Sequence, residues 1–183
     1  MKQVYLLLYI FLSISYNVFS QITEEKSNGL FYKFSLSTTL RINEDYIAFD
    51  NESDETLIQL SAYFINNTIG YQFDKRASLG LNFEYNWHSE QGLHFLPAYL
   101  SFQYNLIVND SDLFIRGGYG SLLGISNDFE KGSVYKAGFG CRIYDGGYQN
   151  SFLIGLDFTR KRFGYRTLEG LSSISIFLEF MLF

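Results

Sequence analysis

Trp87-His88-Ser89-Glu90, with His94 close behind, brings together a base, a nucleophile and a carboxylate. Those are the side-chain types that acyl transfer requires. Adjacent residues of a strand point to opposite faces, however, so His88 and Ser89 diverge if the strand continues through them. No catalytic site is therefore assigned, and His88, Ser89 and Glu90 are kept as candidates beside a plain polar loop rim. A second cluster, Asn43 to Glu55, holds six carboxylates. Hard cations take oxygen ligands, but the spacing lacks the glycine and terminal glutamate of a calcium loop. A hydrated acidic loop is the expectation. One cysteine (Cys141) and two histidines (His88 and His94) do not make up the usual four ligands of a structural zinc site, so neither metal nor cofactor is expected. Gly117-Gly-Tyr-Gly120 precedes neither a helix nor a Lys-Ser/Thr pair and is not a phosphate loop.

A third set of residues is scattered along the chain. Lys33, Arg116 and Lys136 share a strand parity with small polar residues and glycines, and so do Glu84, Asp157 and Glu179. Brought together inside a narrow barrel, these six form an ion-paired network, because buried charges persist only when partnered. Arg41 and Arg142 fall on the same parity near strand ends, where solvated charges are equally expected.

The elements that must position them are strands of period two. Leu79, Leu81, Phe83, Tyr85 and Trp87 oppose Gly80, Asn82, Glu84, Asn86 and His88. The same alternation runs through 32–41, 96–106, 135–143, 152–159 and 172–183, and less cleanly through 113–123. In 57–73 the apolar parity changes between Phe64 and Ile69, which predicts a bulge or slip near Asn66–Asn67. Asp74–Ala77, Asn109–Asp112 and Asp145–Tyr148 read as tight turns. They alternate with longer or more irregular connections at 43–55, 89–94, 124–132 and 161–170. Eight strands follow, in an all-β, antiparallel, up-and-down transmembrane barrel spanning 30–183.

Composition agrees with that reading. The 183 residues are 19% aromatic, with 16 Gly and a single Pro, as ladder-committed backbone requires. The net charge of −5 and the lack of any basic run exclude a nucleic-acid surface. Residues 1–20 carry Lys2, then an apolar run from Val4 to Ile14, then small and polar residues. That is the layout of a cleaved signal peptide, leaving 21–29 as a short periplasmic segment. No stretch reaches the roughly 20 apolar residues of a spanning helix.

Alternation alone leaves open which face is inside, and a soluble ligand-binding barrel would turn the apolar face inward. The apolar face here is large and aromatic, and the polar one is Gly-, Ser-, Thr- and Asn-rich, poorer in Lys and Glu than a soluble surface. Both features point to lipid outside and a packed polar core inside, with no open pore.

On the leader, the alternating segments, Phe95-Leu-Pro-Ala-Tyr-Leu100 and a last strand ending in Phe183, the chain resembles the small eight-stranded outer-membrane barrels of Gram-negative bacteria, OmpX-like in plan. The resemblance implies a monomer in the outer membrane. Its partners would be outer-membrane lipids and, during biogenesis, the barrel-assembly machinery, which reads a terminal aromatic residue. Phe183 departs from the pattern, since it has the parity of Glu179 and not that of Ile174 to Leu182. The implied role is non-enzymatic, in envelope integrity or surface interaction through the outer loops. A lipid A deacylase is the alternative, but those family members carry His-x-Ser on one face, whereas His88 and Ser89 are adjacent.

Overall fold

The computed structural model describes residues 28–42, 58–89, 92–108, 111–126, 129–145, 150–165 and 168–183. Residues 1–27, the acidic loop 43–55, Glu90 and the Arg41 side chain lie outside the described residues. The strands are β1 (Gly29–Ile42), β2 (Ile58–Gln72), β3 (Ala77–His88), β4 (Leu93–Phe95), β5 (Pro97–Ile107), β6 (Ser111–Leu122), β7 (Gly132–Tyr144), β8 (Asn150–Tyr165) and β9 (Leu168–Leu182). β4 and β5 both pair with β3 and are separated only by Leu96, so they form one stave. Neighbours in sequence pair antiparallel all the way round, and β1 closes on β9. The result is a closed barrel of eight staves with no free edge, the only all-β way to satisfy every backbone group in lipid.

Two different ends follow from the connections. At the turn end, Asp74 Oδ1 accepts the backbone N–H of Arg76 and Ala77, both at 2.7 Å, which tightens the β2–β3 hairpin. The chain termini of the barrel, at Gly29 and Leu182, lie at this end, because Gly29 pairs with Gln72 and Leu182 with Asn150. At the other end β1 stops and β2 starts, beside residues 123–126 and 129–131, and this is called the loop end below.

The outward face is a continuous apolar band. It includes Leu30, Tyr32 and Phe34 on β1, Leu79 to Trp87 on β3, and Ile174, Ile176 and Leu178 on β9, all exposed. An exposed apolar surface of this extent needs lipid around it. The same alternation puts Lys33, Asn82, Glu84, Gln103, Asp157 and Glu179 inside, all buried.

Several expectations are corrected. β2 runs straight through Asn66 and Asn67, which pair with Ser35 and Phe34 without a slip. Its irregularity lies nearer the loop end, where Thr39 pairs with Ala62 and Leu40 with Leu60, leaving Ser61 as the extra residue. Ala62 and Phe64 are apolar because they fill the barrel interior there, not because the strand flips. The stretch 161–170 is not a long connection either, since β8 continues to Tyr165 and β9 starts at Leu168, with a register shift after Arg162. At the C-terminus Phe183 keeps the parity of Glu179, as its position implies, and packs edge-on against Phe31 at 6.2 Å.

The interior is also less uniformly polar than expected. Phe31, Phe114, Leu153, Phe177 and Met181 form an apolar cluster toward the turn end, with Phe183 against it. A second cluster toward the loop end contains Leu93, Phe95, Tyr99, Leu122, Val134 and Phe163. Polar side chains occupy the height between them.

Candidate functional site

The polar layer between the clusters brings all six of the sequence-picked charges together. Arg116 on β6 meets Asp157 on β8 through two parallel bonds, from Nε at 2.8 Å and from Nη2 at 2.6 Å. Its Nη1 donates to Glu179 on β9 at 2.5 Å. Lys136 on β7 donates to Glu84 on β3 at 2.7 Å and lies 3.3 Å from Asp157. Lys33 on β1 donates to Gln103 Oε1 at 2.7 Å and stands 4.0 Å from Glu179. Three cations thus face three carboxylates, contributed by six different strands. A bidentate guanidinium suits such a node because its planar fork matches a carboxylate.

Neutral groups complete the layer. Tyr99 donates its hydroxyl to Glu84 at 2.8 Å. Thr68 donates to Asn82 Oδ1, and Asn82 donates to Ser101, both at 2.7 Å. The Arg116 guanidinium stacks 3.8 Å from the Phe177 ring centroid, which joins the layer to the turn-end cluster. Two glycines make the approach possible. A Cβ at Gly138 would meet the Asp157 carboxylate, and one at Gly118 would come within 2.9 Å of the Tyr99 ring. The void left in the layer, bordered by Thr68, Asn82, Ser101 and Gln103, has room for about one water molecule.

Nearer the turn end, Arg142 is buried; its Nε donates to Ser151 at 2.9 Å and its Nη1 to Gln72 at 3.2 Å. Asp112 accepts from Asn105 at 2.9 Å and from the Tyr144 hydroxyl.

Of the residues considered for acyl transfer, His88, Ser89 and His94 are described and are not gathered into one site. His88 is buried inside the barrel with Nε2 3.0 Å from the Lys161 Nζ. Ser89 donates its hydroxyl to the Ser61 carbonyl at 3.1 Å. His94 points the other way, where its Nδ1 lies 2.9 Å from the Tyr85 hydroxyl. Cys141 is exposed on the outward face. No group of three or more metal-ligating side chains occurs among the described residues.

Sequence reasoning missed Lys161. This fully buried lysine reaches across the barrel to His88, between the rings of Phe64 and Phe95 at 4.5 and 5.1 Å. The signal was available, since Lys161 has the parity of Asp157 and Thr159. It was lost by treating 161–170 as a loop.

No protein-family model matches the chain, and no curated protein matches it by sequence. Solved structures do resemble it. Neisserial surface protein A superposes with a TM-score of 0.59 at 11% identity, over 84% of this chain and 98% of that one. The N-terminal β-barrel domain of Pseudomonas aeruginosa OprF gives 0.50 at 14% identity, over 85% and 99%. The shared feature is the fold, that of a small eight-stranded transmembrane barrel.

Proposed function

We propose that this chain is a monomeric, non-enzymatic outer-membrane barrel protein that does not conduct. Its role would be in envelope integrity or in surface interaction through the loop-end connections. The observation that carries this reading is the closed interior: an ion-paired layer between two aromatic clusters, inside an unbroken apolar belt. Eight staves leave an interior that side chains can fill, and here they do. The outer membrane is supported by the belt and by the fold shared with a bacterial surface protein, and the short turns would then face the periplasm. Phe183 would belong to the signal read by the assembly machinery, its ring packed on Phe31 once the barrel has closed. The test is reconstitution into planar bilayers. Folded protein should give no steady ohmic conductance, and a stable channel in every insertion would overturn the reading.

A further inference from the structure

The outward face of the barrel carries charge in one place. Among the strand residues whose side chains are described, Arg160 and Arg162 are the only Lys, Arg, Asp or Glu on that face. Both are on β8, two positions apart on the same side, so their Cα atoms lie about 7 Å apart. Neither forms an ion pair with a carboxylate among the described residues. Their guanidinium groups are held, not loose. Arg160 Nη1 donates to Ser172 on β9 at 2.9 Å and its head lies across Gly170, where an added Cβ would come within 3.3 Å. Arg162 leans the other way, over the Tyr135 ring on β7 at 5.5 Å. Tyr135 in turn packs on Tyr119 at 4.9 Å.

Position decides what such a pair can hold. Directly below, toward the turn end, β8 presents Phe158, Leu156, Ile154 and Phe152 outward, all exposed. Cations above an apolar stripe, at the loop end of the lipid-facing belt, complement an amphiphile with an anionic head and hydrocarbon tails. A guanidinium has five N–H donors. Ser172 takes one from Arg160, and the Tyr135 face leaves the in-plane donors of Arg162 open. Phosphate oxygens are the acceptors a guanidinium fork suits best, and the two heads, directed to β9 and to β7, would take different oxygens of one headgroup.

We propose that Arg160 and Arg162 form a binding site for the phosphorylated headgroup of a lipid in the outer leaflet. The acyl chains of that lipid would lie along Phe158 to Phe152. This rests on the outer-membrane reading above, which sets the loop end at the outer leaflet.

The test uses the full-length folded protein in nanodiscs of phosphatidylcholine containing a minor fraction of phosphatidic acid. Native mass spectrometry then reads which lipid stays bound. Wild type should retain phosphatidic acid over phosphatidylcholine, and Arg160→Gln with Arg162→Gln should lower that preference about tenfold, as expected for lost charge-assisted hydrogen bonds. Inorganic phosphate at the same concentration should leave retention unchanged. Equal retention by wild type and variant overturns the proposal. Displacement by inorganic phosphate also overturns it, because the site would then be one for the free ion. If the double variant does not fold, Arg162→Gln alone serves, since that side chain contacts only a ring; unchanged retention there is equally fatal. Failure of wild type to enter bilayers at all would instead remove the membrane reading.

Discussion

At mid-height the barrel buries three cations against three carboxylates, each with a partner on another strand. At the loop end it buries Lys161 with a histidine and two phenyl rings, and no carboxylate among the described residues pairs with it. Lys161 and His88 are buried outright, and Arg116 and Lys136 nearly so, at 11% and 7% side-chain exposure. In the middle, the cost of removing charge from water is offset by direct attraction and by the hydrogen bonds that Arg116, Lys136 and Lys33 donate. At the loop end the direct contacts are two ring quadrupoles and His88, with Glu84 attracting only from a distance, and a lysine so held is tolerated by the fold more than required by it. The comparison teaches that the middle layer ties the staves together, whereas the loop end fills space.

The largest expected effect follows from breaking the middle. Arg116→Met keeps the stem but leaves Asp157 and Glu179 facing each other without their shared cation. Stability should fall by about 3–5 kcal/mol, the range for a buried charge stripped of its partner. Urea unfolding in vesicles, followed by the heat-dependent gel shift, measures it. Adding Asp157→Asn should recover most of the loss, because Lys136 keeps Glu84 and Lys33 keeps Glu179 while the surplus buried negative charge is removed. A single variant as stable as wild type would mean the layer is held by packing alone.

The loop end should respond differently. Lys161→Met preserves the length of the stem between Phe64 and Phe95 and removes a buried charge that lacks an anion. The expected change is within about 1 kcal/mol of wild type, on the stabilising side, since the methionine avoids the desolvation cost but leaves His88 Nε2 unbonded. The same unfolding assay decides it. A loss as large as that of Arg116→Met would erase the distinction between the two regions.

How much of this was legible in the sequence depends on what each residue's neighbours reveal. Leu79 to His88 showed both faces of β3, because apolar and polar residues alternate without exception there. Lys33, Glu84, Arg116, Lys136 and Asp157 stood out as inward because each has glycine, serine or asparagine beside it on the polar parity, whereas Glu179, between Phe177 and Met181, stood out by its own charge and by Ser173 and Ser175 earlier on that parity. Phe64, Phe95 and Phe163 did not stand out. An aromatic side chain fits lipid outside and a plugged interior inside equally well, so its type does not reveal its face. Phe64 in particular imitated a change of parity and placed a bulge at Asn66–Asn67 that the backbone lacks. Which lysine meets which carboxylate depends on the stagger of the staves, which sets the height of each side chain across the closed barrel, and no spacing along the chain encodes that.

The smallest expected effect lies outside both regions, at the β2–β3 turn, and separates local turn chemistry from interior pairing. Asp74 is fully exposed, and the two backbone N–H groups of Ala77 and Arg76 that it accepts hold its carboxyl below the ordinary aspartate value of 3.8. A group whose folded pKa is depressed adds stability above its unfolded pKa and loses that contribution as pH falls through the folded value. Asp74→Ala should therefore unfold slightly more easily than wild type at neutral pH. The gap should narrow as pH drops below about 4 and close once the folded carboxyl is protonated. The measurement is the temperature of the gel-mobility shift for both proteins at pH 7 and at pH 3. A gap that stays constant across that range would show that the turn depends on the shape of Asp74 and not on its charge. Loss of stability in wild type alone that matches Arg116→Met in size would place the acid sensitivity of the barrel at its rim and not in its ion-paired middle.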